Sequence, residues 1–111
     1  MVEEELGSAV VLEVDGQRAT VVLRGEVDLD VEQRIVEAIR RISRLRDLAA
    51  IEVDATAVTF IDSSGLRALI IGREAALSQG LEFSVRIRAN GQVARVFALA
   101  GLEEALRVFV T

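Results

Sequence analysis

The sequence predicts an α/β fold built as a single domain, with a mixed β-sheet that opens on an antiparallel hairpin and continues through parallel βαβ crossovers. Three observations carry that reading. Runs rich in β-branched residues recur at 10–14, 18–24, 50–54 and 81–87, each bounded by turn-forming residues. Between the later runs, apolar residues repeat every three or four positions, the period of a helix buried on one side. The resulting order, β-β-α-β-α-β-α-β, implies parallel neighbours joined by right-handed helical crossovers.

Residues 1–9 are an acidic lead-in and 10–111 the domain. Val10-Val11-Leu12-Glu13-Val14 reads as a strand, Asp15-Gly16 as a hairpin signal and 18–24 as the returning strand. Asp30 is a candidate N-cap for a helix carrying Val31, Ile35, Ala38, Ile39, Ile42 and Leu45 on one face, with Glu37 and Arg41 spaced to pair on the other. A short strand, Ala50–Asp54, leads through a loop at 55–61 into Asp62-Ser63-Ser64-Gly65, which opens a second helix burying Leu66, Leu69, Ile70 and Leu77. Gly80 is placed to end that helix in the left-handed conformation. Phe83, Val85 and Ile87 then alternate with Glu82, Ser84 and Arg86 as a strand. Asn90-Gly91 precedes a third helix through Val93, Val96, Phe97 and Ala100, capped by Gly101, and 106–110 is a last short strand.

Composition removes whole classes of chemistry. The 111 residues include no Cys, His, Lys, Tyr, Trp or Pro. Without thiol, imidazole or amine there is no Ser-His-Asp or Cys-His catalysis, no Schiff base and no P-loop lysine. Zinc, copper and iron-sulfur sites lose their ligands as well. What remains is carboxylate, hydroxyl, guanidinium and backbone. A magnesium site from Asp28, Asp54 and Asp62 at the strand ends is conceivable on placement, but it has no base or lysine beside it, so no metal, cofactor or enzymatic activity is expected. The net charge of −5, with 18 acidic residues against 13 arginines, argues against a nucleic-acid partner. The start, MVEEEL, has neither a basic nor an apolar signal region, and no apolar run approaches the length of a membrane span, so a cytoplasmic location is expected.

The most informative stretch is Val58 to Leu69. It sets two small hydroxyls and a glycine at a helix start, where unpaired N–H groups and the dipole favour an anion. Asp62 or Ser63 as a simple N-cap accounts for part of it. Gly65 is left over, because glycine in a first turn weakens the helix and signals a close approach.

These residues, Asp54 to Leu69 with DSSGL after an apolar pair, resemble the signature of the STAS domain family, as found in bacterial anti-sigma factor antagonists. Arg24-Gly25-Glu26-Val27-Asp28 is similar to the family's Gly-Glu-Leu-Asp turn, and 93–102 to its helix ending in Gly-Leu. The resemblance spans about residues 10–110. It implies that Ser63 is phosphorylated by an anti-sigma factor with serine kinase activity and restored by a serine phosphatase. The unmodified form would bind that partner and free the sigma factor for transcription. Near that serine, Glu26, Asp28, Asp62, Ser64, Gly65 and Arg67 are the candidate partner-binding residues, and Arg67, one helical turn after Ser63, is placed to offset part of a phosphate's charge. The same fold also serves constitutive interaction modules, in stressosome-like scaffolds or as accessory subunits of lipid transporters. The segment Ile87-Arg88-Ala89-Asn90-Gly91 departs from the family's apolar strand end and Ser-Pro turn. Little sequence follows residue 110 for the C-terminal helix of many relatives, a difference that bears on partner docking, and a mixed sheet with a free edge is compatible with a monomer or a weak homodimer.

Overall fold

Among the described residues six strands and three helices follow one another in the order β1 (Val2–Glu5), β2 (Val10–Asp15), β3 (Arg18–Val27), α1 (Leu29–Ile42), β4 (Ala50–Ile61), α2 (Ser63–Ser78), β5 (Glu82–Ile87), α3 (Gly91–Ala100) and β6 (Val108–Val110). This computed structural model describes residues 2–5, 9–45 and 47–111. The sheet runs β1-β2-β3-β4-β5-β6, antiparallel across the first three strands and parallel from β3 onward. Because the parallel strands follow one another in chain order, right-handed crossovers carry all three helices over one face.

That face is a ladder of apolar rows. Ala19, Ile51 and Phe83 stand in register, and so do Val21, Val53 and Val85, all at most 3% exposed. Onto them α1 lays Val31, Ile35, Ala38, Ile39 and Ile42, and α2 lays Leu66, Ala68, Leu69 and Ala76. Each Val, Leu, Ile or Phe side chain among them, fully buried, contributes roughly 1.5–3 kcal/mol. On the other face Glu52 is shared by Arg86 at 3.2 Å and Arg18 at 3.9 Å.

The hairpin closes with Asp15 paired to Arg18, so the loop residues are Gly16 and Gln17 rather than Asp15 and Gly16. Helix α2 ends as its glycine predicts. Gly80 takes φ 75°, its N–H reaches the Leu77 carbonyl and the Leu81 N–H the Ala76 carbonyl, the paired bonds of a Schellman motif. Gly101, at φ 67°, caps α3.

The structure corrects several expectations. Val2–Glu5, read only as an acidic lead-in, adds an edge strand to β2. Arg41 pairs with Glu4 of that strand, not with Glu37. The cap of α1 is Asp28, two residues before Asp30. Leu45 lies beyond α1 and Leu77 on the outer side of α2, at 47% and 44% exposed. Strand β3 continues through Gly25, Glu26 and Val27, which were expected to form a turn.

The largest difference is β4, which runs twelve residues instead of stopping at Asp54. Opposite β3 it carries one extra residue between Asp54 and Ala57 and another between Val58 and Phe60. At the first bulge Asp54 Oδ1 accepts hydrogen bonds from the Thr56 N–H (3.0 Å) and hydroxyl (2.7 Å). A local aspartate bond of this kind resembles a turn in sequence, yet here it satisfies a bulge and the strand goes on. The bulges also break the alternation, so that Ala55, Val58 and Ile61 are the buried positions.

Candidate functional site

The site is built where two neighbouring parallel strands become helices. Val27 and Ile61, partners in register, end β3 and β4, and the next residue of each strand is an aspartate. Both aspartates are extended, with ψ of −169°, and both cap the helix that follows. Asp28 Oδ1 accepts from the N–H groups of Asp30 (3.1 Å) and Val31 (3.3 Å). Asp62 Oδ1 accepts from those of Ser64 (2.9 Å) and Gly65 (3.2 Å). Leu29 and Ser63 therefore occupy equivalent first positions of α1 and α2.

This arrangement resolves which residue caps α2. Asp62 takes that role, and Ser63 is exposed, its hydroxyl making no hydrogen bond among the described residues. At the same end of the sheet are two exposed apolar side chains that sequence reasoning passed over, Leu29 at the first position of α1 (63% exposed) and Phe60 next to the end of β4 (43% exposed). Glu26, the register partner of Phe60, is exposed near the end of β3, two residues before the cap. Ser64 is half-buried.

Gly65 is where the close approach occurs. A Cβ built there would stand 2.5 Å from Ile61 Cγ1 and 2.9 Å from Val27 Cγ1, the two strand ends just described. Only a residue without a side chain lets α2 begin this near the sheet, so Gly65 sets the height of Ser63 above it.

Arg67 does not stand free. Its Nε donates to Glu32 Oε1 (2.7 Å) and its Nη2 to Glu32 Oε2 (3.0 Å), a two-pronged bridge from α2 to α1. The Glu32 side chain is 10% exposed, the Arg67 side chain 61%. The hydrogen bonds from Arg67 hold the Glu32 carboxyl below its ordinary range against the opposing effect of burial, and Arg67 is raised in turn by Glu32. The Asp62 charge acts on both members of the pair, which ties the bridge electrostatically to the cap beside Ser63.

Glu32 was absent from the sequence reading, although a signal existed. It shares the helical stripe of Ile35, Val36 and Ile39, and a carboxylate in an apolar stripe needs a partner. Gln92 at the start of α3 is the other omission. Its Oε1 accepts from the Ile61 N–H (3.0 Å) and its Nε2 donates to the Ile61 carbonyl (2.7 Å), replacing a neighbouring strand where β4 outruns β5. No sequence pattern announced it. Asp54 does not join Asp28 and Asp62, because β4 carries the chain on to Ile61 before the helix begins. Among the described residues no group of three His, Cys, Asp or Glu side chains is placed to hold a metal ion.

A family model described as "Mlab, STAS domain" matches residues 10–110. The chain belongs to the STAS domain family. Among solved structures, this STAS domain is similar to an anti-sigma factor antagonist from Mycobacterium paratuberculosis, at 25% identity over 91% of this chain and 84% of that one, with a TM-score of 0.79. It also shares the fold of the anti-sigma factor antagonist SpoIIAA in its unphosphorylated form (20% identity, 93% and 88% covered, TM-score 0.78). The Bacillus SpoIIAA structure in the phosphorylated form matches at 20% identity, with 93% and 91% covered and a TM-score of 0.67. A comparison with curated protein sequences returns no match. The mixed sheet with its antiparallel start is thus the STAS architecture that the DSSGL segment and its companions implied. No helix among the described residues is long and apolar enough to cross a membrane.

Proposed function

We propose that this STAS domain is an anti-sigma factor antagonist that works as a phosphorylation-switched binding module. Unmodified, it docks an anti-sigma factor with serine kinase activity on the corner formed by Ser63, Leu29, Phe60 and Glu26, and so releases a sigma factor to transcription. The kinase moves the γ-phosphoryl group of ATP onto the Ser63 oxygen, ADP departs and the hydroxyl proton passes to the kinase. A serine phosphatase restores the hydroxyl by hydrolysis.

The observation that supports this most is the division of labour at α2, where Asp62 satisfies the helix start and leaves the Ser63 hydroxyl exposed and uncommitted. Similarity to an anti-sigma factor antagonist across 91% of the chain points the same way. The switch follows from charge. A phosphoserine brings about −1.5 to −2 charges, placed beside Asp62 and Asp28 on a chain whose net charge is already −5. A partner surface packed against a neutral hydroxyl and two apolar side chains would have to desolvate that anion, so the complex dissociates without any change of fold.

The test is intact-mass spectrometry of protein from its native host with fragmentation to place added phosphate, followed by capture of partners with wild type and Ser63→Asp. Phosphate on Ser63 and a partner retained by wild type alone are expected. An unmodified Ser63 under all growth conditions, with the same partner held by both forms, overturns the reading. That result would favour a constitutive module, either a stressosome-like scaffold or a lipid-transporter accessory subunit.

A further inference from the structure

We propose that Arg67 is a switch residue contested by two anions: in the unmodified domain Glu32 holds its guanidinium across the α1–α2 seam, and a phosphate on Ser63 competes for the same guanidinium, so that modification is felt on α1 as well as at Ser63. This rests on the reading of Ser63 as a phosphoacceptor, and adds to it a route by which a second helix registers the change.

The geometry favours competition. Ser63 and Arg67 lie four apart on α2, which makes them neighbours on one helix face. A helical side chain leans toward the N-terminus, so Arg67 leans over the turn that begins with Ser63. Yet its Nε and Nη2 are both turned onto the Glu32 carboxylate, at 2.7 and 3.0 Å. The pair is lopsided, with the arginine 61% exposed and the glutamate 10%. The arginine can therefore swing through solvent, and the glutamate is confined. A phosphate dianion is a stronger partner for a planar guanidinium than a carboxylate monoanion.

The cost of the exchange falls on α1. Glu32 lies in that helix's first turn, three residues after Leu29, among Val31, Ile35 and Val36. Deprived of Arg67, its carboxylate is left nearly buried beside Asp62, with burial and a like charge both opposing ionisation. It must take up a proton or turn outward, and turning outward would disturb the first turn of α1, which presents Leu29. Phosphorylation would then act on the docking corner twice, by its own charge and by loosening the neighbouring apolar contact.

The experiment installs phosphoserine at position 63 during translation, so that no kinase is needed, and follows its second ionisation by phosphorus NMR. Four chains are compared: wild type, Glu32→Gln, Arg67→Gln and the double variant. If Glu32 competes for Arg67, removing Glu32 lowers the phosphate pKa by about half a unit or more, roughly a threefold change in proton affinity. In the Arg67→Gln background the same change produces only the smaller through-space effect of a lost charge. Equal shifts in both backgrounds, or no effect of Arg67→Gln on the phosphate, would sink the proposal. Should a variant fold poorly, the Arg67 Nε–H resonance in the unsubstituted chain provides an independent reading. It is expected to move when phosphoserine replaces serine, and an unmoved resonance overturns the exchange. Failure here leaves the acceptor role of Ser63 standing, since mass spectrometry of native protein decides that separately.

Discussion

Replacing Gly65 by alanine tests the packing beneath the site most directly. The added methyl would lie 2.5 Å from Ile61 Cγ1, 3.0 Å from Ile61 Cδ1 and 2.9 Å from Val27 Cγ1. Carbon atoms in contact prefer roughly 3.5–4.0 Å, so all three approaches are repulsive. Neither neighbour can escape, because Val27 and Ile61 are both 0% exposed. Overpacking of this kind costs about 1–3 kcal/mol. Against it stands the gain of about 0.5–1 kcal/mol from alanine over glycine in a helix. The balance is a loss of up to about 2.5 kcal/mol, or up to about 10 °C in Tm for a domain of this size. Urea and thermal melts followed by circular dichroism measure it, in wild type and in an Ile61→Ala background. There both clashes with Ile61 are gone and only the 2.9 Å approach to Val27 remains, so Gly65→Ala is expected to cost clearly less than in wild type. A coupling of about 1 kcal/mol or more between the two positions should result. If Gly65→Ala raises the Tm of wild type, or costs the same in both backgrounds, the close approach is not the reason for this glycine.

Three further outcomes follow from the same geometry. Asp62→Ala removes the cap from two amides and should cost about 1 kcal/mol, while Ser63→Ala should stay within about 0.5 kcal/mol; urea melts showing the reverse order would return the cap to Ser63. Gln92→Ala strips the Ile61 N–H and carbonyl of their side-chain partner and should destabilise by about 1–3 kcal/mol, with hydrogen exchange at the Ile61 amide accelerating more than exchange in β2. The bridge to Arg67 makes stability depend on acid. Glu32 is held below its ordinary value of 4.5, so its contribution is complete above that pH and disappears as pH falls through the lowered value. Urea midpoints of wild type should therefore exceed those of Glu32→Gln at pH 7 and converge with them in that acidic range, and a constant gap down to pH 3 would refute the assignment.

Local chemistry made much of this molecule legible. The alternation of Phe83, Val85 and Ile87, the glycines that end α2 and α3, and the aspartate-serine start of α2 all act within a few residues of themselves, and each appears where its pattern placed it. Local signals also misled. Asp54-Ala55-Thr56 has turn chemistry and sits in a bulge, and Arg24 to Val27 looks like a connection and is strand, because in both places pairing with the adjacent strand outweighs local preference. Asp30 and Asp28 are equally good caps on paper. The length of β3 chooses between them.

The candidate site divides in the same way. That an aspartate, two serines and a glycine open a helix was written in the sequence, and so was the STAS resemblance that gives Ser63 its proposed role. The height of Ser63 above the sheet is set by contacts of Gly65 with Val27 and Ile61, one of them thirty-eight residues away along the chain. The partner of Arg67 is Glu32 on another helix, and the edge of β4 is closed by Gln92 from a third. Periodicity and capping depend on neighbours in sequence, so the chain alone determined the helices and most of the strands. Register, bulges and ion pairs depend on which segments meet after the crossovers are made, and only the tertiary structure decided those.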